Sequence, residues 1–260
     1  MRRMLGLVGL GVLLGTTSGC VWMSRLGSDE AGLPHGKTWF VGGAGSVGNV
    51  VGTFDVPKGL RAARYRGAIE VFGWQSVVGG TLRDMLDRER NEGEARRLAA
   101  AIQQYLDQYP GRRVNLIALS AGTGIATWAL EALPPTHRVG TVVYLGSALS
   151  RDYDLSRALT NVRGRLHCFY SADDPLLRYG VPITGAVDRS SPIAAGLYGF
   201  ARPPAAEGPA LAVYVRRLRN HPYRREYAEY GYFGWHADST SPRFIEKVVA
   251  PLLDERLEPD

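Results

Sequence analysis

The sequence lacks the residue patterns that metal sites and nucleotide sites require. Its 260 residues include two cysteines, which lie far apart, and its histidines and acids do not fall at the spacing of zinc proteases. No complete phosphate-binding or dinucleotide-binding glycine motif is present. We therefore expect neither a metal ion nor any other cofactor.

A strong compositional bias is also absent. Charged residues amount to 22% and hydrophobic residues to 45%, which are ordinary globular values and argue against disorder and fibrous repeats. The formal charge is +6, but the arginines are scattered among acids, and no nucleic-acid module surrounds the densest basic stretch, residues 216–225. We interpret that stretch as a solvated face and expect no nucleic-acid partner; binding of nucleic acid or anionic lipid there is the weaker alternative.

The N-terminal apolar run, from Met4 to about Leu14, is too short for a transmembrane helix. Arg2 and Arg3 precede it, and the small residues 15–19 follow it, which is the three-part layout of a secretory signal. The sequence therefore predicts an exported protein whose residues 1–19 form a signal peptide.

Cys20 ends the segment Thr17-Ser18-Gly19-Cys20, which resembles the bacterial lipobox, with Thr17 at the position normally held by Leu. The resemblance implies lipidation of Cys20 and anchoring to the cell envelope. Cys168 lies in an apolar run and is interpreted as a buried strand residue, which leaves Cys20 without an evident disulfide role. Val21 replaces the Asp of an inner-membrane retention signal, which favours the outer membrane; a cleaved signal that releases a secreted or periplasmic protein is the alternative.

Residues 20–37 are rich in Gly and Ser and lack any period, so we predict a lipidated cysteine followed by a flexible tether and a folded domain at 38–260. In that domain short apolar runs alternate with longer helical patterns, which predicts a three-layer α/β/α sandwich with a mostly parallel central sheet. The predicted strands are 38–41, 68–72, 114–119, 141–145, 166–170 and 211–215, and the main predicted helices are 84–109, 121–133 and 242–253.

The strand at 114–119 is apolar on both faces, as a central parallel strand must be, and it ends in a serine motif. Ala118-Leu119-Ser120-Ala121-Gly122 matches the nucleophile elbow G-x-S-x-G, with Ala in place of the first Gly. The turn is so tight that small residues are needed two positions either side of the serine. This predicts Ser120 as a nucleophile at a helix N-terminus, against the alternative of an ordinary helix-capping serine.

From residue 38 to residue 253 the chain resembles the α/β-hydrolase family, whose catalytic residues follow the order Ser, Asp or Glu, His. His236 directly precedes the last predicted helix and resembles the family's base. Asp174 follows the strand at 166–170 and resembles the acid that orients the base. Asp173, Asp152 and Asp154 remain open as alternatives for the acid.

The glycine-rich segment after the first strand, residues 41–46, resembles the family's oxyanion loop. The resemblance implies that the backbone amides of Gly43 or Ala44, together with that of Ala121, stabilise the oxyanion of a tetrahedral intermediate. Trp74 and Trp235 are candidates for lining an acyl pocket, and packing in the core is the equal alternative for either.

These features imply a serine hydrolase, esterase-like or lipase-like, that cleaves a carboxylic ester through a Ser-His-Asp triad and an acyl-enzyme. Acyl transfer and thioester cleavage remain open, as do the substrate and the oligomeric state. The competing hypothesis is a catalytically silent lipoprotein that uses the hydrolase scaffold to bind a lipid, a cell-wall component or a protein partner.

Overall fold

The computed structural model describes residues 25–76, 79–203 and 207–254 of the chain. At its centre lies one six-stranded sheet in the order β2-β1-β3-β4-β5-β6, in which all neighbouring strands are parallel. The strands are β1 (Lys37–Val41), β2 (Ala68–Phe72), β3 (Val114–Leu119), β4 (Val142–Leu145), β5 (Leu166–Tyr170) and β6 (Leu218–Pro222). The predicted three-layer α/β architecture is confirmed.

Helices connect successive strands. After β1 come α1 (Gly45–Val50) and α2 (Asp55–Ala62), after β2 come α3 (Gly80–Leu86) and α4 (Arg88–Gln108), and after β3 comes α5 (Gly122–Ala132). After β4 comes α6 (Ser156–Thr160), and after β5 come α7 (Pro175–Thr184), α8 (Ala195–Tyr198) and α9 (Gly208–Arg217). The chain then forms α10 (Pro242–Phe244), a π-helical turn (Ile245–Val249) and α11 (Ala250–Leu253).

The two faces of the sheet are buried under separate hydrophobic clusters, because successive strand residues point to opposite faces. Trp39, Leu116 and Tyr144 contribute to the cluster that includes residues of α4 and α5. Phe40 and Ile117 contribute to the cluster that includes residues of α2 and of the C-terminal helical segment. Burial on both faces explains why the central strands are continuous apolar runs.

Two predicted elements differ from the structure. The strand predicted at 211–215 is wrong: these residues lie within α9, which Pro209 helps to start, and the sixth strand is the more polar β6 that follows. The helix predicted at 84–109 is interrupted at Asp87, whose side chain accepts a hydrogen bond from the Arg90 amide and thereby caps α4.

The N-terminal part of the described chain also differs from the predicted flexible tether. Asp29 pairs with Ile69 in an antiparallel bridge, and the amide of Val71 donates to Ser28 Oγ at 3.0 Å. The Tyr105 hydroxyl donates to the Leu33 carbonyl at 2.6 Å. Residues 25–36 therefore lie along the outer edge of β2. The hydrogen bonds that hold them there could not be predicted from any periodicity in the sequence.

The predicted signal peptide and Cys20 lie outside the described residues. No helix within the described ranges is both long and apolar enough to cross a membrane.

Candidate active site

Ser120 lies in the tight turn between β3 and α5, with a backbone φ of +55°. A positive φ is uncommon for a residue with a side chain, and it is what a nucleophile elbow requires. Gly122 faces the end of β1 so closely that a side chain there would collide with the carbonyl groups of Val41 and Gly42. Ala118 is completely buried. The small residues of the motif are therefore required by the packing of this turn.

Asp174 and His236 form a hydrogen-bonded pair, with Asp174 Oδ2 2.6 Å from His236 Nδ1. The other carboxylate oxygen of Asp174 accepts the Leu177 amide at 3.1 Å, so this residue also caps α7. Its side chain is 3% exposed and that of His236 12% exposed. Two fixed acceptor contacts thus hold the carboxylate against the imidazole.

The alternative acids do not contact the histidine. Asp173 is exposed, and Asp152 is exposed on the segment after β4. Asp154 is bound elsewhere, because it accepts hydrogen bonds from the Ser156 amide and the Tyr214 hydroxyl. Among the four acids considered from sequence, Asp174 is the one that the structure brings to His236.

Ser120 and His236 are both located at the carboxyl end of β4. The Ser120 amide donates to the Leu145 carbonyl at 3.0 Å. The next residue, Gly146, has φ +50°, and a Cβ there would lie 3.1 Å from His236 Nδ1. The His236 Nε2 atom is buried and makes no hydrogen bond within the described part of the chain. The ring nitrogen that a general base uses is thus available, without a hydrogen bond to the Ser120 hydroxyl.

The loop after β1 brings Gly43 to Ser120: a Cβ on Gly43 would lie 3.2 Å from the serine Cβ and 3.7 Å from its Oγ. The Trp74 indole donates to the Gly42 carbonyl at 2.8 Å, and the Gln75 amide group donates to the Gly43 carbonyl at 2.8 Å. With these carbonyls bound, the peptide planes of the loop are fixed. The amides of Gly43, Ala44 and Ala121 donate no hydrogen bond to any residue that the structure describes.

Asp84 is a residue of this site that the sequence analysis did not identify. It is fully buried on α3, and its carboxylate accepts the amides of Gly45 and Ser76, each at 2.8 Å. Arg90 forms an ion pair with it at 3.2 Å and also donates to the Trp74 carbonyl. Asp84 therefore ties together the loops that follow β1 and β2. The sequence offers no signal for this role, because an acid on an amphipathic helix is ordinarily exposed.

The two tryptophans considered as pocket residues occupy different environments. Trp74 is buried and contacts the loop at Gly42 through its indole N–H. Trp235, next to His236, is 64% exposed. The structure thus places one of them behind the glycine loop and the other on the surface beside the histidine.

Outside this site, the described residues of β5, β6 and the basic stretch serve packing and internal hydrogen bonds. His167 and His221 stack on each other in β5 and β6, and Arg217 of the basic stretch is buried and donates to the Leu159 carbonyl. Cys168 is a buried thiol whose pKa is raised by burial. The described residues contain no group of His, Cys, Asp and Glu suited to a metal ion.

No protein-family model and no curated protein matches the sequence. Thirteen chains of solved structures match, among them the crystal structure of Aspergillus fumigatus lipase B. The match has a TM-score of 0.53 at 12% sequence identity and covers 89% of this chain and 55% of that chain. The chain thus spans about half the length of lipase B. Together with the all-parallel sheet, this similarity identifies an α/β-hydrolase fold.

Proposed function

We propose that the protein is a serine hydrolase that cleaves carboxylic esters. The observation that carries the proposal is the buried Asp174–His236 pair beside Ser120, whose positive φ matches a nucleophile elbow. The similarity to a lipase concerns the fold and supports the proposal only at that level.

In the proposed reaction, His236 Nε2 takes the proton of the Ser120 hydroxyl while Oγ attacks the ester carbonyl carbon. Asp174 keeps the other ring proton on Nδ1 and stabilises the imidazolium. The tetrahedral intermediate collapses, and the leaving alcohol receives the proton from Nε2. Water then attacks the acyl-enzyme with the same proton transfers, releasing the acid and restoring Ser120. Catalytic hydrogen bonds are often absent before substrate binds, so the unpaired Nε2 agrees with this role.

The backbone amides near Ser120 complete the mechanism. The amides of Ala44 or Gly43 on one side and of Ala121 on the other are proposed to donate to the oxyanion. Their lack of hydrogen bonds within the described structure supports this assignment, because a preorganised donor must be free to bind the developing charge.

Labelling with a fluorophosphonate probe tests the proposal, because the probe reacts covalently with an activated serine. We expect labelling of the wild type, its loss in Ser120→Ala and His236→Ala, and much slower labelling in Asp174→Asn. The matched control is His137→Ala, since His137 also pairs with an acid, Asp107, at 2.8 Å but lies elsewhere. Absence of labelling in a folded wild type contradicts the proposal and favours the silent binding scaffold.

Cys20 enters the proposal as the membrane attachment. The lipobox resemblance supports lipidation of its thiol after removal of residues 1–19. The mass of the N-terminal peptide of protein purified from bacterial membranes tests it: an unmodified cysteine excludes the anchor.

A further inference from the structure

Large apolar side chains are exposed on segments that follow the strands, at the carboxyl-terminal edge of the sheet, where Ser120 also lies. All strands are parallel, so the segments that follow them begin at the same edge. On these segments Phe54 precedes α2, Leu82 lies on α3, and Trp235 precedes His236; all three are exposed. Large exposed apolar side chains that share one end of a domain, instead of being scattered singly, are typical of a site of interaction.

Helix α7 presents the largest part of this surface. Leu177 and Val181 face the interior and are buried. Leu176, Tyr179 and Ile183 are 55%, 67% and 85% exposed. Their spacing of three and four residues places them on one face of the helix, where an ordinary surface helix carries polar residues. Since Asp174 caps α7, this apolar face is fixed relative to the Asp174–His236 pair.

The N-terminal segment leads to the same carboxyl-terminal edge of the sheet. Asp29 pairs antiparallel with Ile69, and Ser28 bonds Val71 further along β2, so the chain traced backward from Asp29 runs toward the carboxyl end of the sheet. Gly27 lies against Thr53, directly before Phe54. Cys20 precedes the first described residue by five positions, a length that spans at most about 18 Å. A lipid on Cys20 would therefore enter the membrane near this edge.

We propose that this surface, the lipid-facing edge, docks on a phospholipid bilayer and turns the Ser120 site toward it. The lipid-facing edge is defined by Phe54, Leu82, Leu176, Tyr179, Ile183 and Trp235. Its helix α7 carries one charged residue, the basic Arg178, which suits an anionic headgroup region. Aromatic residues mixed with aliphatic ones are typical of surfaces that meet the membrane interface. The consequence for the substrate, an ester of a membrane lipid, rests on the proposed function.

Fluorescence quenching in vesicles tests the docking without measuring turnover. Mature lipidated protein with Ile183→Cys or Val215→Cys is labelled with a polarity-sensitive thiol fluorophore and reconstituted into phosphatidylethanolamine–phosphatidylglycerol vesicles. Part of the lipid carries brominated acyl chains. Val215 is the matched control, because it is 58% exposed and lies three residues before β6 begins, at the opposite edge.

We expect a blue shift and strong quenching of the label at position 183, and neither effect at position 215. Equal quenching at both positions, or none at 183 on protein that floats with the vesicles, overturns the proposal and favours a protein partner for the surface. Protein that fails to float also overturns it.

A second variant links docking to the substrate. Ile183→Ser is expected to reduce hydrolysis of an ester embedded in vesicles about tenfold, since one exposed apolar side chain no longer enters the lipid. Hydrolysis of a water-soluble short-chain ester should be unchanged, and Val215→Ser should affect neither rate. Equal loss on both esters contradicts a docking role. Docking should persist in Ser120→Ala, so failure of the docking and failure of the catalytic proposal give different results.

Discussion

At Ser120 the backbone is held in a conformation that costs about 1–3 kcal/mol, so the surrounding contacts must stabilise it. The carbonyl of Ser120 accepts the Thr123 hydroxyl at 2.6 Å and the Ala148 amide at 3.2 Å. The Thr123 hydroxyl lies 2.8 Å from that of Ser147, which extends the network to the segment after β4. The elbow is thus held by the helix that follows it and by the segment after β4.

Asp84→Asn should impair the reaction through the loop that contains Gly43. An asparagine can accept one of the two amides that the carboxylate accepts, and its NH2 group would face the other N–H. We expect the loop to shift and kcat to fall roughly 10- to 100-fold with a smaller change in KM, because the oxyanion donors act mainly in the transition state. Steady-state kinetics on a soluble ester and the rate of fluorophosphonate labelling measure this effect.

Asp188→Asn is the control for Asp84→Asn. Asp188 is also buried, and it accepts the amide and the hydroxyl of Ser150, which lies on the segment after β4 and not on the glycine loop. Both variants should lower the thermal midpoint. If Asp84→Asn retains wild-type kcat in the folded protein, Asp84 has only a structural role.

The sequence made part of this site predictable. Ser120 was predictable because a local motif specifies the elbow. Asp174 was predictable because it follows β5 and precedes α7, and His236 because it precedes the C-terminal helical segment in the triad order that the chain resembles. Asp84 and Gln75 were not accessible, since their partners lie 39 and 32 positions away and side-chain to backbone contacts of that kind leave no pattern. The same holds for the hydrogen bond from the Trp74 indole to the Gly42 carbonyl, since the sequence indicated only that Trp74 could line a pocket.

At the scale of elements, the β5–β6 pair contains a polar contact that links stability to pH. His167 Nδ1 lies 2.9 Å from His221 Nε2, and the two rings stack. Burial, the neighbouring His221 and the charges of Arg165 and Arg219 lower the pKa of His167 from 6.5 to about 3. The pKa of His221 is also lowered, by burial and by Arg224 and Arg219.

A histidine with a lowered pKa in the folded state binds its proton more readily when unfolded. His167 therefore contributes full stability above about pH 6.5 and loses it as the pH falls toward 3, at up to about 1.4 kcal/mol per pH unit. In urea unfolding between pH 7 and pH 4.5, His167→Gln should show a shallower loss of unfolding free energy than the wild type. The exposed His35→Gln should keep the wild-type slope. Identical slopes for all three proteins contradict this account.

Strands were predicted best where both of their faces are buried. β1 to β5 lie within one residue of their predicted bounds, because burial in a parallel sheet selects continuous apolar runs. β6 is an edge strand with the sequence Leu-Arg-Asn-His-Pro, in which three of the five residues are polar. The sixth strand was predicted at the preceding stretch 211–215 because that stretch is apolar. In the structure its apolar residues serve the packing of α9.

At the scale of the whole molecule, the N-terminal segment covers one edge strand of the sheet. The edge at β2 is covered by residues 25–36. Asp29 exchanges two backbone hydrogen bonds with Ile69 there, as an isolated bridge and not as a regular strand. Covering an edge in this way prevents pairing with another chain. The predicted tether is thus partly a structural cover, and its Gly-rich composition reflects close approach to the domain.

Gly32 tests whether this cover contributes to stability. A side chain at Gly32 would collide with the Arg66 carbonyl and the backbone of Gly67, so Gly32→Ala should lower the unfolding free energy by about 1–3 kcal/mol. Gly93→Ala is the opposite case, because Gly93 lies inside α4 with its nearest neighbour at 3.8 Å, and it should stabilise by about 0.5–1 kcal/mol. Chemical denaturation of both variants measures the difference. If Gly32→Ala is as stable as the wild type, residues 25–36 do not pack on the domain, and the path that brings Cys20 to the lipid-facing edge loses its support.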